Sequence, residues 1–157
     1  FQFTNQLTPI MPQPNLLAIV LAALIPMIVG FIYYHPKVFG KVWMDSLGLK
    51  EEDLKKGNMG VIMGVSLVMS ILLSMFMLVN VDGPGQEGEF DSFKHGVFHG
   101  VLVGFMVAMP VLVTNGLFER KNLKNLAINT LYWIITIGLM GGVIDMLNHW
   151  PNEAPAM

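Results

Sequence analysis

Four long runs of apolar residues alternate with short polar connections along the chain. The runs cover Leu16–Tyr34, Met59–Val81, His95–Phe118 and Leu126–Trp150. A helix needs about 20 apolar residues to cross the roughly 30 Å hydrocarbon core of a bilayer, and each run is of about that length. Strands are disfavoured because the runs are too long and lack period-2 alternation. The pattern therefore predicts an all-α, integral membrane four-helix bundle that forms a single membrane domain over residues 1–157.

The composition agrees with this prediction and excludes several classes of protein. Of the 157 residues, 54% are hydrophobic and only 13% are charged, whereas a soluble domain has about 25% charged residues. The absence of cysteine rules out disulfides, thiolate metal sites and cysteine nucleophiles. With a net charge of −2, the chain shows no basic patch for nucleic acid. A secreted, nucleic-acid-binding or cytosolic enzyme is therefore largely excluded.

The basic residues predict which side of the membrane each connection faces. The connection at 82–94 is acidic and glycine-rich and holds only Lys94. The other eight of the nine basic residues lie in the first and third connections: Lys37, Lys41, Lys50, Lys55, Lys56, Arg120, Lys121 and Lys124. By the positive-inside rule these two connections face the cytoplasm, so both termini face outward. We therefore expect a multi-pass protein of the bacterial inner membrane with periplasmic termini.

The first connection also contains a short amphipathic segment. Its apolar residues recur at helical spacing: Val38, Phe39, Val42, Trp43 and Leu47. Charged residues lie between them, which is typical of a helix that lies in the membrane interface. Aromatic residues favour the same region. Trp43 is therefore predicted to be an interfacial anchor, together with Tyr33 and Tyr34 at the end of the first run.

Two stretches of the chain resemble a known family. The first is YYHPKVFGKVWMDSLGLKEEDLKKGNM, from Tyr33 to Met59, and the second is NGLFERKNLKNLAIN, from Asn115 to Asn129. Both resemble the small bacterial membrane proteins catalogued as domain of unknown function 1761. The resemblance covers roughly residues 15–150 and implies a four-span bacterial membrane protein. It implies no activity, because the family has none assigned.

Small residues recur at every fourth position in two of the runs. They are Gly60 and Gly64 in the second run, and Gly96, Gly100 and Gly104 in the third. Such stripes allow membrane helices to approach closely, so these glycines are predicted to be helix-packing residues. Two explanations stay open at this point: packing within the bundle, and association with a partner protein or a second copy.

One set of polar residues suggests chemistry at the outer side. His95 and His99 lie four residues apart at the start of the third run, and Asp145 and His149 lie four apart near the end of the fourth. Residues four apart share a helix face, and the antiparallel direction of the two runs matches their depths. Three imidazoles and a carboxylate are a plausible ligand set for Zn²⁺ or another divalent ion. Ordinary pairing of Asp145 with a histidine, a metal or haem-type site and a protonatable relay all remain open.

No motif specifies a reaction. The sequence lacks a glycine-rich phosphate loop, G-x-S-x-G and H-E-x-x-H. The leading prediction is a non-enzymatic accessory or structural subunit of a larger membrane assembly, which packs against its partner through the stripe of the third run. The alternative is a metal-binding or proton-coupled membrane protein that uses the outer His/Asp cluster. The expected partners are membrane lipids and a membrane protein or a second copy, and the only candidate cofactor is a metal-centred one, a divalent ion above all.

Overall fold

The protein is an all-helical bundle. The computed structural model describes residues 14–54, 56–81 and 91–149, and no strand occurs among them. The elements in order are α1 (Leu16–Tyr33), a π-helical turn (Pro36–Gly40), α2 (Lys41–Leu47), α3 (Glu51–Leu54), α4 (Met59–Val81), α5 (Phe93–Val103), a second π-helical turn (Gly104–Ala108), α6 (Met109–Phe118) and α7 (Leu123–Leu147). Within the described ranges, α1, α4, the continuous helix from α5 to α6, and α7 are each long and apolar enough to cross a membrane. The predicted all-α membrane fold is confirmed.

The helix bounds follow the predicted runs to within three residues. α1 ends at Tyr33, and α4 has the predicted bounds. α5 begins two residues before His95, and α7 begins at Leu123 rather than Leu126. The expected end of the last run at Trp150 lies outside the described residues, as do most of the 82–94 connection and both chain ends.

Polar caps explain why two of these helices begin earlier than the apolar runs. Ser92 precedes α5 and Asn122 precedes α7, and each side chain accepts a backbone N–H from the first turn of its helix. Asn15 caps α1 in the same way. A capping side chain satisfies one of the N–H groups that a helix start leaves without a partner. The starts of α5 and α7 are thus set by these caps and not by the first residue of the apolar run.

α7 is the central helix of the bundle. It contacts α1, α4, α5, α6 and α2, and 56% of the residues in its most apolar stretch are buried, against 22% in α4 and 17% in the helix from α5 to α6. The buried apolar core is formed by three helices: Ile19 and Ala22 from α1, Met77, Leu78 and Val81 from α4, and Ile137, Met140 and Ile144 from α7. The other spanning helices therefore turn most of their side chains away from the protein.

The glycine stripe of α5 is filled by α7. A Cβ atom at Gly96 would overlap the backbone oxygen of Gly141, and one at Gly100 would overlap the backbone oxygen of Ile137. Gly104 extends this close approach by one more turn. Because α7 already occupies the stripe, it offers no surface to another protein. The expectation that a partner docks on the stripe of the third run is therefore corrected.

The glycines of α4 have no such neighbour. A Cβ atom at Gly64 would meet no other atom within 4 Å, and one at Gly60 would meet only Oδ1 of Asn58, at 3.4 Å. Both α4 and α5 therefore carry glycines four residues apart, but in the described part of the chain only the glycines of α5 pack against another helix.

The predicted interfacial segment is present as the first π-helical turn and α2. Its side chains Val38, Val42 and Leu47 are exposed, as an interfacial helix requires. α2 ends at Gly48, whose φ of 66° is the left-handed conformation that glycine adopts without strain.

The three aromatic residues that were predicted to be anchors lie between helices. The hydroxyl of Tyr33 donates to the backbone oxygen of Ile128 at 3.0 Å, and that of Tyr34 donates to Oδ1 of Asn129 at 2.9 Å. The rings of Tyr34 and Trp43 pack at a centroid distance of 5.4 Å. Tyr33 is buried, so it faces the protein rather than lipid headgroups. These contacts attach α1 and α2 to α7.

Candidate functional site

Polar side chains gather at both ends of the bundle. We call one end the Asp145 end; it comprises the starts of α1 and α5 and the end of α7. We call the opposite end the Asn125 end; it comprises α2, the end of α6 and the start of α7. Most of the predicted site residues lie at the Asp145 end.

Asp145 is a buried carboxylate that joins α7 to the start of α5. Its side chain is 2% exposed. Oδ2 accepts the backbone N–H of Ser92 at 3.1 Å and lies 3.0 Å from Nδ1 of His95. An ionised carboxylate can only accept hydrogen bonds, so with Asp145 in that form the proton between the two groups is on Nδ1 of His95. The carboxylate also lies at a helix N-terminus, where the helix dipole favours negative charge.

Gly96 makes this arrangement possible. A Cβ atom at position 96 would lie 2.6 Å from Cβ of Asp145. The glycine stripe therefore has a second role besides helix packing, because it allows α5 to approach closely enough for Ser92 and His95 to reach the carboxylate.

A second pair lies nearer the surface. Nδ1 of His149 is 3.0 Å from Oδ2 of Asp91, and the two side chains are 57% and 19% exposed. Asp91 precedes α5 and His149 follows α7, so this pair joins the same two helices as the Asp145–His95 pair.

The four predicted ligands thus separate into two histidine–carboxylate pairs. His99 lies beside the first pair, with its ring centroid 4.4 Å from that of His95. His149 belongs to the second pair, with Asp91. Among residues 14–54, 56–81 and 91–149, no group of three or more His, Asp or Glu side chains is arranged to hold a metal ion. His95 contacts both Asp145 and His99, and the pairing of His149 with Asp91 was not predicted from the sequence.

The start of α1 is also fixed at the Asp145 end. The backbone N–H of Asn15 donates to Oδ1 of Asn148 at 2.7 Å, and Nδ2 of Asn15 donates to the backbone oxygen of Leu147 at 2.8 Å. Asn148 is 1% exposed. The sequence signal for this contact was an Asn directly before the first apolar run, where it also caps α1.

A chain of amide and hydroxyl groups connects α1, α2 and α7 at the Asn125 end. Nδ2 of Asn129 donates to Oδ1 of Asn125 at 3.0 Å, and Nδ2 of Asn125 donates to Oγ of Ser46, also at 3.0 Å. Tyr34 donates to Asn129 at the other end of the chain. Asn125 is 1% exposed, so its hydrogen bonds satisfy an amide that burial would otherwise penalise.

A small cavity lies beside this chain, between α6 and α7. Its volume is about 160 Å³. It is lined by Leu112, Asn115, Gly116, Glu119, Lys121, Leu126 and Asn129. The cavity thus combines two leucine side chains with amides and an ion pair. The sequence does not predict it, because its two walls come from different helices.

A known protein family matches most of the chain. Residues 17–144 match the family described as "Protein of unknown function (DUF1761)". The chain belongs to the DUF1761 family. The match confirms the resemblance carried by the Tyr33–Met59 and Asn115–Asn129 stretches. The DUF1761 match includes the Asn125 end and stops one residue before Asp145. No curated protein and no solved structure matches the chain.

DUF1761 membership and the four apolar helices together identify a multi-pass membrane protein of unassigned activity. The family description states no reaction, ligand or partner. Any function must therefore be argued from the geometry of this chain.

Proposed function

We propose that this DUF1761 protein is a non-enzymatic accessory subunit of a membrane assembly, and that it contacts its partner through residues 59–69 of α4, which we call the α4 open segment. The observation that carries the proposal is the exposure of this segment. Ten of its eleven residues are exposed, and only Leu67 is partly covered. By contrast, α4 buries five residues between Ser70 and Val81 against the bundle.

The occupant that fits the α4 open segment is an uncharged transmembrane helix with small residues of its own. The segment has no charged side chain. Gly60 and Gly64 have room for a neighbouring backbone, and small residues in membrane helices favour such close approach. α5 and α7 of this chain already pack in this way. Gly96 and Gly100 of α5 have the same four-residue spacing as Gly60 and Gly64, and α7, which has glycines of its own, lies against them.

The proposed orientation places the Asn125 end in the cytoplasm of a bacterium and the Asp145 end in the periplasm. It rests on the basic residues, since Arg120 and Lys121 lie between α6 and α7, Lys124 lies in the first turn of α7, and five lysines lie between α1 and α4. The α4 open segment then lies in the cytoplasmic half of the inner membrane.

The test is Gly64→Leu, with Val65→Leu as the matched control. Both variants place leucine on the exposed half of α4, but helical geometry turns position 65 well away from the glycine stripe. We expect Gly64→Leu to reduce co-purification of the partner at least tenfold, because the larger side chain keeps the two helices apart, and Val65→Leu to leave it unchanged. Native mass spectrometry of protein extracted in mild detergent measures this.

Two results would contradict the accessory role. One is a wild-type protein with a mass of 17.4 kDa or a small multiple, with no other chain attached. The other is an equal effect of both leucine substitutions, since the glycine stripe would then have no special part in the contact.

A second candidate function uses the Asp145 end. We infer as the alternative that the protein is metal-binding or proton-coupled, through His95, His99 and Asp145 with His149 nearby. The supporting observation is the buried carboxylate of Asp145 on a spanning helix beside the imidazole of His95, which packs against that of His99, because intramembrane carboxylates usually serve a function. Elemental analysis tests the metal form: a stoichiometric metal that is lost in His99→Ala supports it, and metal-free protein refutes it.

A further inference from the structure

The cavity between α6 and α7 lies at the turn that joins the two helices. We propose that it binds the headgroup of an aminophospholipid, with Lys121 on the phosphate and Glu119 on the primary ammonium. At about 160 Å³ it is smaller than the roughly 300–1,000 Å³ of pockets for drug-sized ligands, so it suits a headgroup and not a larger substrate. The inference does not depend on the accessory role of α4, which lies on another part of the protein.

The turn after α6 positions the two charged side chains. The backbone N–H of Lys121 donates to the oxygen of Gly116 at 2.9 Å, and that of Arg120 donates to the oxygen of Leu117 at 3.0 Å. Arg120 has a φ of 56°. These features define a Schellman turn, in which one left-handed residue follows the helix end. Glu119 and Lys121 lie on either side of that residue and both line the cavity.

The ion pair at the cavity offers a cation, Lys121, for the negative charge of a zwitterionic headgroup and an anion, Glu119, for its positive charge. Nζ of Lys121 lies 2.5 Å from Oε2 of Glu119, and both side chains remain more than a third exposed. A lysine ammonium binds phosphate as a compact point charge. A carboxylate accepts hydrogen bonds from a primary ammonium. A phosphate and an ammonium can thus replace the two partners of this exposed pair, which itself contributes little to stability.

The amides of the cavity provide further donors. The Asn115 side chain makes no hydrogen bond within the described ranges of the chain. Asn129 uses one N–H on Asn125 and its oxygen on Tyr34, so its second N–H has no partner among these residues. An amide N–H is an ordinary donor to a phosphate oxygen or to the ester oxygens of a lipid.

The apolar part of the cavity favours a lipid over a free phosphate compound. Leu112 lies seven residues before Glu119 on the same helix, which is about 10 Å deeper at 1.5 Å per residue. Leu126 forms the facing wall. The cavity is therefore polar at the turn and apolar toward the membrane centre, which is the polarity of a phospholipid where its headgroup joins its glycerol.

The carboxylate of Glu119 selects among phospholipids. An anionic headgroup such as glycerol phosphate has a phosphate for Lys121 but no cation for Glu119, so the carboxylate would lose its positive partner. A choline headgroup carries a positive charge but has no N–H to donate. An ethanolamine headgroup carries both the phosphate and a donating ammonium, so it is the expected ligand.

The experiment uses the full chain in bilayers of equal parts phosphatidylethanolamine, phosphatidylglycerol and phosphatidylcholine with identical acyl chains. The protein is released into the mass spectrometer, and the retained lipids are counted. We expect one phosphatidylethanolamine per chain in preference to the other two. Lys121→Ala should reduce its retention at least tenfold, and Glu119→Gln should abolish the preference over phosphatidylcholine and phosphatidylglycerol.

Matched controls separate the cavity from general charge effects. Lys124→Ala removes a basic residue in the first turn of α7 that does not line the cavity, and Glu52→Gln neutralises an exposed acid on α3; both should retain the lipid as the wild type does. Equal retention of all three lipids, or equal losses in Lys121→Ala and Lys124→Ala, overturns the proposal. Displacement of the lipid by an equal concentration of soluble phosphoethanolamine overturns the lipid assignment, because the apolar wall would then add nothing to binding.

Discussion

Gly96→Ala is expected to destabilise the folded protein by about 3 kcal/mol, the upper part of the range for overpacking a well-packed site. The new methyl group would overlap the backbone oxygen of Gly141 and lie 2.6 Å from Cβ of Asp145. Neither atom can move away by a rotamer change, because one is backbone and the other is the first side-chain atom. α5 and α7 must therefore separate, which also lengthens the contacts of Asp145. Unfolding of purified protein in mixed micelles with increasing SDS measures the loss.

Gly64→Ala is the matched control for this prediction. It makes the same chemical change in another spanning helix, at a position where a Cβ atom meets nothing within 4 Å. We expect unchanged or slightly increased stability, because alanine is favoured over glycine in a helix by up to about 1 kcal/mol. Similar losses in the two variants would show that helix propensity, and not the contact of α5 with α7, determines the effect at Gly96.

Asp145→Ala is expected to destabilise the folded protein by about 2–4 kcal/mol, because each hydrogen-bond donor that loses its acceptor costs about 1–3 kcal/mol. The substitution leaves the backbone N–H of Ser92 and Nδ1 of His95 without their acceptor. Asp145→Asn should cost less, since the amide oxygen still accepts one of these hydrogen bonds. The same SDS titration measures both variants.

Asp91→Ala tests whether burial causes this loss. Asp91 also pairs with a histidine at 3.0 Å, but its partner His149 is more than half exposed. Exposed pairs contribute about 0–1 kcal/mol, so this variant should remain close to the wild type. A double-mutant cycle of Asp145→Ala with His95→Ala isolates the pair itself. Additive effects in that cycle would contradict a direct interaction between the two side chains.

The prediction of the spanning helices from the sequence succeeded because lipid restricts the options. A segment within the bilayer must satisfy its backbone hydrogen bonds internally, so length and hydropathy were sufficient to find α1, α4, the helix from α5 to α6, and α7. The errors lay at the ends. α5 begins at Phe93 and α7 begins at Leu123. Capping by Ser92 and Asn122 determines these two starts, and the hydropathy of the sequence changes little at these positions.

The candidate site was predicted only in part. Helical rise and antiparallel direction predicted the four residues at similar depth; the structure pairs His95 with Asp145 and packs the ring of His99 against that of His95. The pairing of His149 with Asp91 was missed because Asp91 lies in a connection, where no periodicity indicates its position. The cavity beside Lys121 was missed for a similar reason, since it exists only where α6 and α7 lie side by side.

By itself, the sequence determined the class of the protein, the number and place of its spanning helices, its family and the spacing of its small residues. The tertiary structure decided which of these residues have a neighbour. Gly96 and Gly64 belong to stripes with the same four-residue spacing, yet α7 lies against Gly96 and no described helix lies against Gly64. The physical reason is that hydropathy and helix periodicity are properties of one segment, whereas a packing contact or a buried pair requires a second segment whose place depends on the whole bundle.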